Sequence, residues 1–328
     1  MNNLYFYCPD DNHPIGGIKI LYRHVDVLNR NGFQAAVVHD KKGFRCTWFE
    51  NETRVEYRKN IHPDAFDFTV IPEIYGPRLA EIFPGGKKVI FNQNAYLTFK
   101  GYSLETGEQT TAYRDPSVVA VMVVSEDSRD YLSFVFPELK VFRVHNSVDS
   151  DKFRFRELRY KKRRIAFMMR KHADDARQIL NILKFRGALA NWELAPIEGK
   201  TESEVAEILE NTMVFLSFGY PEGCPAPPIE AMLCGNLVAG YHGMGGREYF
   251  LPEFSWPVEA GDIIGFVRAT EEVLRGIDLV PEDMAVKAHA ARDFVCREYS
   301  IEREKNDILK FWDETMFEQG HDAISEEM

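Results

Sequence analysis

The amino-acid sequence predicts an α/β protein made of two doubly wound parallel-sheet domains. Three observations point there. Short apolar runs alternate with stretches of helical period over nearly the whole chain, the pattern of repeated strand–helix–strand crossovers. The length of 328 residues exceeds one ordinary core and divides into two domains of about 150 residues each. Between the two runs of alternation lies KFRFRELRYKKRR (152–164), dense in cations and without helical period, which marks a change of domain. The expected domains are 1–150 and 151–300.

Composition narrows the function classes. An apolar fraction of 45% beside 28% charged residues is that of a soluble globular protein. With 40 Lys and Arg against 51 Asp and Glu, the net charge of −11 argues against a nucleic-acid partner, whose phosphates would need neutralising. The five cysteines (Cys8, Cys46, Cys224, Cys234, Cys296) are odd in number and lack any C-x-x-C spacing. Neither a zinc site nor a disulfide framework is expected, and a reducing cytoplasm fits. The opening MNNLYFYCPD has no basic n-region and no long apolar core, so no signal peptide is expected. The longest clean apolar run, Val118 to Val124, is far short of the ~20 residues of a membrane span.

In the N-terminal half, Leu4 to Cys8 reads as a strand, followed by PDDNHPIGGIK. Ile18, Ile20, Leu21, Val25, Val27 and Leu28 then recur at helical spacing, Asn31-Gly32 stops the helix, and Phe33 to His39 is the next strand. This is a right-handed crossover unit. Gly16-Gly17 falls beyond a strand's carboxyl end at a helix N-terminus, where glycine lets backbone N–H groups approach a phosphate; the pair equally makes a tight turn. No G-x-G-x-x-G fingerprint is present here, which counts against a dinucleotide. Further strands are expected at Phe66 to Ile71, Lys87 to Phe91, Val118 to Val124 and from Leu139, with a helical stretch around Arg78 to Phe83. Glu73, Asn92, Asn94 and Ser125 fall at strand ends, which line the crevice of an open parallel sheet. Ser125 and Asp127 read as caps of the following helix, while Glu73 and Asn94 are candidates for substrate contact.

The basic segment 152–164 reads as a solvated linker, with an anionic membrane surface as the alternative partner, which would suit a lipid-linked acceptor. A second sheet starts at Ile165 to Met169 and runs into Arg170-Lys171-His172; a helix from Asp174 to Phe185 follows. Two cations at the end of a domain's first strand suit a diphosphate. Trp192 to Ile197 is a strand, Thr201 to Glu204 opens a helix as a capping box, and Met213 to Phe218 is the next strand. Helices are expected over Ala260 to Arg275 and as one long tail from Pro281 to Phe317, with Glu318 to Met328 frayed.

The most informative stretch is FLSFGYPEGCPAPPIEAMLCGNLVAGYHGMGGREYF, Phe215 to Phe250. Strand, Pro-rich loop, short helix, strand and glycine cluster succeed one another. Pro221, Pro225, Pro227 and Pro228 stiffen the loop, and Pro228 suits a first helical turn. Glu222 and Glu230 flank that loop, Glu230 being expected in the first turn of the helix. A metal site is not expected, because no His or Asp completes a ligand set at nearby spacing. A glycosidase pair needs carboxyls on opposite sides of a scissile bond, a poor match for two acids at one rim. Hydroxyl recognition remains: carboxylates accept charge-assisted hydrogen bonds from a sugar or ribose diol. Gly223, Gly243, Gly245 and Gly246 would add N–H donors to phosphate or sugar oxygens.

Two alternating halves, the Gly-Gly loop, the basic pair and Glu, seven residues, Glu in EGCPAPPIEAMLCG resemble glycosyltransferases of the GT-B fold, more narrowly the family 4 "group 1" enzymes. The resemblance covers nearly the whole chain. It implies two Rossmann-like domains facing a cleft, the N-terminal one (1–150) on the acceptor side and the second (151–300) holding the donor. A C-terminal helix, 301–328, would cross back to the N-terminal domain. It also implies a retaining, metal-independent transfer of sugar from a nucleotide-sugar donor to a glycan or lipid-linked acceptor, with no cofactor. By matching position Glu222 would hold the donor sugar hydroxyls and Glu230 the ribose. Gly16 and Gly17 would face the diphosphate or the transferred sugar, and Arg170 with Lys171 would neutralise the departing diphosphate. His13, beside the Gly-Gly, is the candidate for a histidine that many relatives carry. The chain departs from the pattern in two places. Arg170 and Lys171 are adjacent instead of about five residues apart, and Cys224-Pro225 stands where Phe-Gly is usual. A nucleotide-sugar epimerase of the same fold and a non-catalytic nucleotide-sugar-binding protein are the alternative readings. A nicotinamide enzyme would rest on GMGG at 243–246 alone, whose spacing is wrong.

Overall fold

The structure is a computed structural model, and it describes residues 2–105 and 111–326 of the chain. The chain divides into two compact units, one of Met1–Val144 with Glu304–Met328, the other of His145–Arg303.

The first unit contains β1 (Asn3–Tyr7), α1 (Gly16–Arg30), β2 (Gln34–His39), β3 (Val55–Tyr57), β4 (Phe68–Pro72), β5 (Lys87–Asn92), β6 (Val118–Val123), α2 (Glu126–Val135) and β7 (Val141–Arg143). The strands form one parallel sheet in the order β3-β2-β1-β4-β5-β6-β7. The inner strands β2, β1, β4, β5 and β6 are largely apolar because both faces of the sheet are covered there, whereas the edge strands β3 and β7 are only partly buried. The order turns back between β1 and β4, and this is the position where open parallel sheets take ligands. The helical spacing of α1 buries Ile18, Leu21, Tyr22, Val25 and Leu28, and the helix ends at Asn31-Gly32, where Gly32 adopts φ +89°. Ser125 caps α2, its hydroxyl accepting the Ser128 N–H at 3.2 Å.

The second unit contains β8 (Lys162–Phe167), α3 (Ala173–Phe185), β9 (Glu193–Pro196), α4 (Glu202–Glu210), β10 (Thr212–Phe218), α5 (Ala226–Leu233), β11 (Leu237–Tyr241), β12 (Ser255–Val258), α6 (Ile263–Leu279) and α7 (Pro281–Glu298). Its parallel sheet runs β12-β11-β10-β8-β9 and turns back between β8 and β10. One face packs Ile165, Leu216 and Ala239 against Ile179 of α3 and Phe266 of α6. The other packs Phe215 and Val238 against Ile229 and Met232 of α5 and Val295 of α7. The capping box at Thr201 and Glu204 forms as the sequence implied.

The last helix, α8 (Ile301–Glu326), belongs from Glu304 onward to the first unit. Trp312 is fully buried there, edge-on to Phe68 at 5.5 Å and Phe6 at 6.2 Å, and Glu304 pairs with Arg23 of α1 at 2.7 Å.

Four expectations are corrected. The tail from Pro281 is two helices, because the chain breaks at Tyr299-Ser300, and α8 continues to Glu326 instead of fraying from Glu318; residues 327–328 lie outside the described residues. The helical stretch near Arg78 is a 3-10 segment, Glu73–Glu81, broken at Gly76. Glu230 is the fifth residue of α5 and lies beyond its first turn. The basic segment is no solvated linker. Phe153 and Leu158 are core residues and Lys161 is buried. Lys152 pairs with Glu202, Arg163 with Asp278 and Arg164 with Glu193, so these three cations are paired within the unit. Among the described residues no helix is long and apolar enough to cross a membrane.

Candidate functional site

In the second unit the segments leaving β8 and β10 flank the point where the sheet turns back. Arg170 and Lys171 follow β8, and the Gly219–Pro225 loop follows β10. Lys171 Nζ forms an ion pair with Glu222 Oε2 across that point. Two residues singled out separately from the sequence are therefore in contact. Both side chains keep access to solvent, Lys171 at 35% and Glu222 at 25% exposure, so a bound anion can compete for the ammonium. Arg170 is exposed beside them. His172 lies against the rings of Tyr220 and Tyr241, each 5.5 Å away, and its Nε2 is buried without a hydrogen-bond partner among the described residues.

The loop carrying Glu222 is knitted to the glycine cluster after β11. The Glu222 N–H donates to Gly243 O at 3.0 Å, and the Gly245 N–H donates to Glu222 O at 3.2 Å. Gly245 also donates to Gly243 O at 2.9 Å, closing a three-residue turn centred on Met244, with φ 67° and ψ −72°. Met244 is the sole non-glycine residue with positive φ among the described residues. That turn is rare and strained, costing on the order of 1–3 kcal/mol. The Gly245 N–H thus donates within the loop itself. A Cβ on Gly245 would lie 1.8 Å from Gly223 O, so this glycine exists for close approach. Gly243 (φ +65°) abuts Tyr220 O and Pro225, and Gly246 abuts Tyr249, whose hydroxyl donates to Pro225 O at 2.6 Å. Cys224 and Glu230 are half-buried around the same loop.

In the first unit α1 begins at Gly16, with no acid in its first turn. A Cβ on Gly16 would meet nothing within 4 Å, whereas one on Gly17 would meet Gln93 Oε1 at 3.1 Å. Gln93 Nε2 donates to Gly17 O at 3.2 Å, and the Gln93 N–H donates to Glu73 Oε2 at 3.1 Å. Gln93, unnoticed in the sequence, therefore joins the glycine pair to Glu73. Glu73 is buried at 3% exposure, and burial pushes its carboxyl up to about 7 against the pull of backbone N–H groups from Gln93 and Asn94. Asn94 caps a short turn, accepting the Tyr96 N–H at 3.1 Å. Glu73 and Asn94 are thus bound into the protein, while His13 is exposed and paired with Asp11 at 2.6 Å. Where the sheet turns back, a cavity is lined by Tyr7, Arg58, Tyr75, Arg78, Glu81 and Ile82. Tyr7 and Tyr75 lie 4.9 Å apart, and Asp40 accepts from both Tyr7 and Arg58.

Two doubly wound parallel-sheet units, with the last helix returned to the first, define the GT-B fold. The solved structures that share it include glycosyltransferases. Sucrose-phosphate synthase from Thermosynechococcus elongatus aligns over 96% of this chain and 99% of its own, at 10% identity and a TM-score of 0.65. HepE from Anabaena, solved with UDP and glucose, aligns over 96% and 100%, at 10% identity and a TM-score of 0.64. A glycosyltransferase from Rickettsia africae aligns over 96% and 98%, at 12% identity and a TM-score of 0.64. No protein-family model and no curated protein matches the chain.

Proposed function

We propose that this protein is a glycosyltransferase of the family 4 type, moving a sugar with retention and without metal from a nucleoside-diphosphate sugar to a hydroxyl of a glycan or lipid-linked glycan. The observation that carries the reading is the Lys171–Glu222 ion pair at the turning point of the second sheet. A diphosphate draws Lys171, together with Arg170, to its own charge. Glu222 is then released to accept hydrogen bonds from the sugar, and Glu230 serves the ribose. Transfer proceeds by electrostatic stabilisation of the departing nucleoside diphosphate. The second unit holds the donor; the first holds the acceptor, with Gly16 at the open start of α1. HepE was solved with UDP and glucose, which makes a uridine diphosphate sugar the first donor to try.

Glu222→Ala tests the assignment. Losing one charge-assisted bond to a sugar hydroxyl, ~1.5–3 kcal/mol, lowers kcat/KM for transfer by about 10- to 150-fold. Binding of the nucleoside diphosphate, read by thermal shift across a panel of bases, is retained. Transfer by this variant at the wild-type rate removes Glu222 from the site.

A further inference from the structure

The position of Glu222 depends on a strained turn, and the turn depends on one side chain. Met244 sits at φ 67°, where a residue with a Cβ is disfavoured. Its N–H donates to His242 Nδ1 at 3.0 Å. This side-chain bond to the backbone two residues on imitates the hydrogen bond by which Asn and Asp stabilise turns. His242 is buried at 5% exposure, with Nε2 lying 3.3 Å from Glu259 Oε1. Because Nδ1 accepts, the neutral ring carries its proton on Nε2, which lies near that carboxylate without an aligned hydrogen bond. Glu259 is held in turn by Arg247 at 3.2 Å. The Met244 turn then takes hold of the Glu222 backbone from both sides, through Gly243 O and the Gly245 N–H.

We infer that His242 is a positioning residue for donor-sugar recognition. It acts through the Met244 N–H to keep the strained turn, and hence Glu222, in place. The inference rests on Glu222 reading the sugar, as proposed above. His242 touches no substrate in this scheme.

Three variants separate this role from simple packing. His242→Gln keeps a polar group near Glu259 and loses the acceptor at Nδ1; a loss of about 10-fold or more in kcat/KM for the nucleotide sugar is expected, with nucleoside-diphosphate affinity unchanged. His242→Asn restores an acceptor at the Nδ1 position and recovers activity to within about 3-fold of wild type. In His242→Gln/Met244→Gly the turn no longer needs support, since glycine adopts positive φ freely, and activity returns towards wild type. A His242→Gln enzyme with unaltered kcat/KM overturns the inference, as does equal damage from Gln and Asn.

Amide exchange at Met244 and Gly245 provides a readout independent of transfer. His242→Gln accelerates it and His242→Asn does not. Should the wild type transfer no sugar while exchange follows this pattern, the functional reading fails and the turn's dependence on His242 stands. Exchange that ignores the substitutions refutes the dependence itself.

Discussion

Replacing Gly245 with alanine is expected to destabilise the second unit by about 3 kcal/mol or more and to abolish transfer. The new Cβ would sit 1.8 Å from Gly223 O, 2.5 Å from Gly223 C and 2.8 Å from Glu222 O, all backbone atoms with no rotamer to yield. The loop of Glu222 and the Met244 turn must part, and both hydrogen bonds joining them go with the separation. Urea titrations measure the stability and initial rates the activity. Gly16→Ala is the contrasting case, because its Cβ meets nothing within 4 Å. Stability is kept or slightly raised, alanine being the better helix former. Any loss of transfer in that variant therefore reports a ligand approaching the start of α1. A Gly245→Ala protein with wild-type stability contradicts the packing described here.

The second large effect is a pH dependence with opposing limbs in the first unit. His24 is wholly buried on α1, stacked on Phe91 at 4.8 Å, and both ring nitrogens lack hydrogen-bond partners among the described residues. Burial lowers its pKa from the ordinary 6.5 to about 3. Below pH 6.5 the unfolded chain takes up a proton that the native protein refuses, so stability falls as pH drops from 6.5 towards 3. The full effect is on the order of 5 kcal/mol. Glu73 acts in the reverse direction. Its folded value of about 7 exceeds the ordinary 4.5, so the native carboxyl keeps a proton that the unfolded chain releases. Stability is therefore lost as pH rises from 4.5 to 7, by roughly 3 kcal/mol. His24→Leu should flatten the acid limb and Glu73→Gln the neutral one, each seen as a difference from wild type in urea unfolding across pH 3–8. Parallel curves for wild type and either variant refute the corresponding assignment.

The fold was legible because the parallel strands are buried on both faces and so appear as apolar runs at regular intervals. The strands missed, β3 and β12, are edge strands of three and four residues, too short for a period to show. The 152–164 segment misled through composition. Its charges suggested solvent, but their acidic partners, Glu193, Glu202 and Asp278, lie 29 to 115 residues away in sequence, and no local pattern reveals them. In the site, Glu222 and Lys171 were visible as residue types at strand ends. Their contact spans 51 positions and is a property of strand order, which single-sequence periodicity does not specify. The role of Met244 was hidden for another reason: methionine carries no turn signal, and its positive φ is imposed by His242 and the neighbouring loop. Gln93 was hidden likewise, because its partners Gly17 and Glu73 meet it only once β1, β4 and β5 are side by side.

The return of α8 to the first unit has a consequence for biosynthesis. Residues 145–303 form a contiguous segment whose partners have all been synthesised before Trp312 is reached. The first unit lacks the indole that closes over Phe6 and Phe68 until the whole of residues 145–303 has been made. The unit that supplies β1 is thus completed after the other, and Phe6 and Phe68 await Trp312 while residues 145–303 fold.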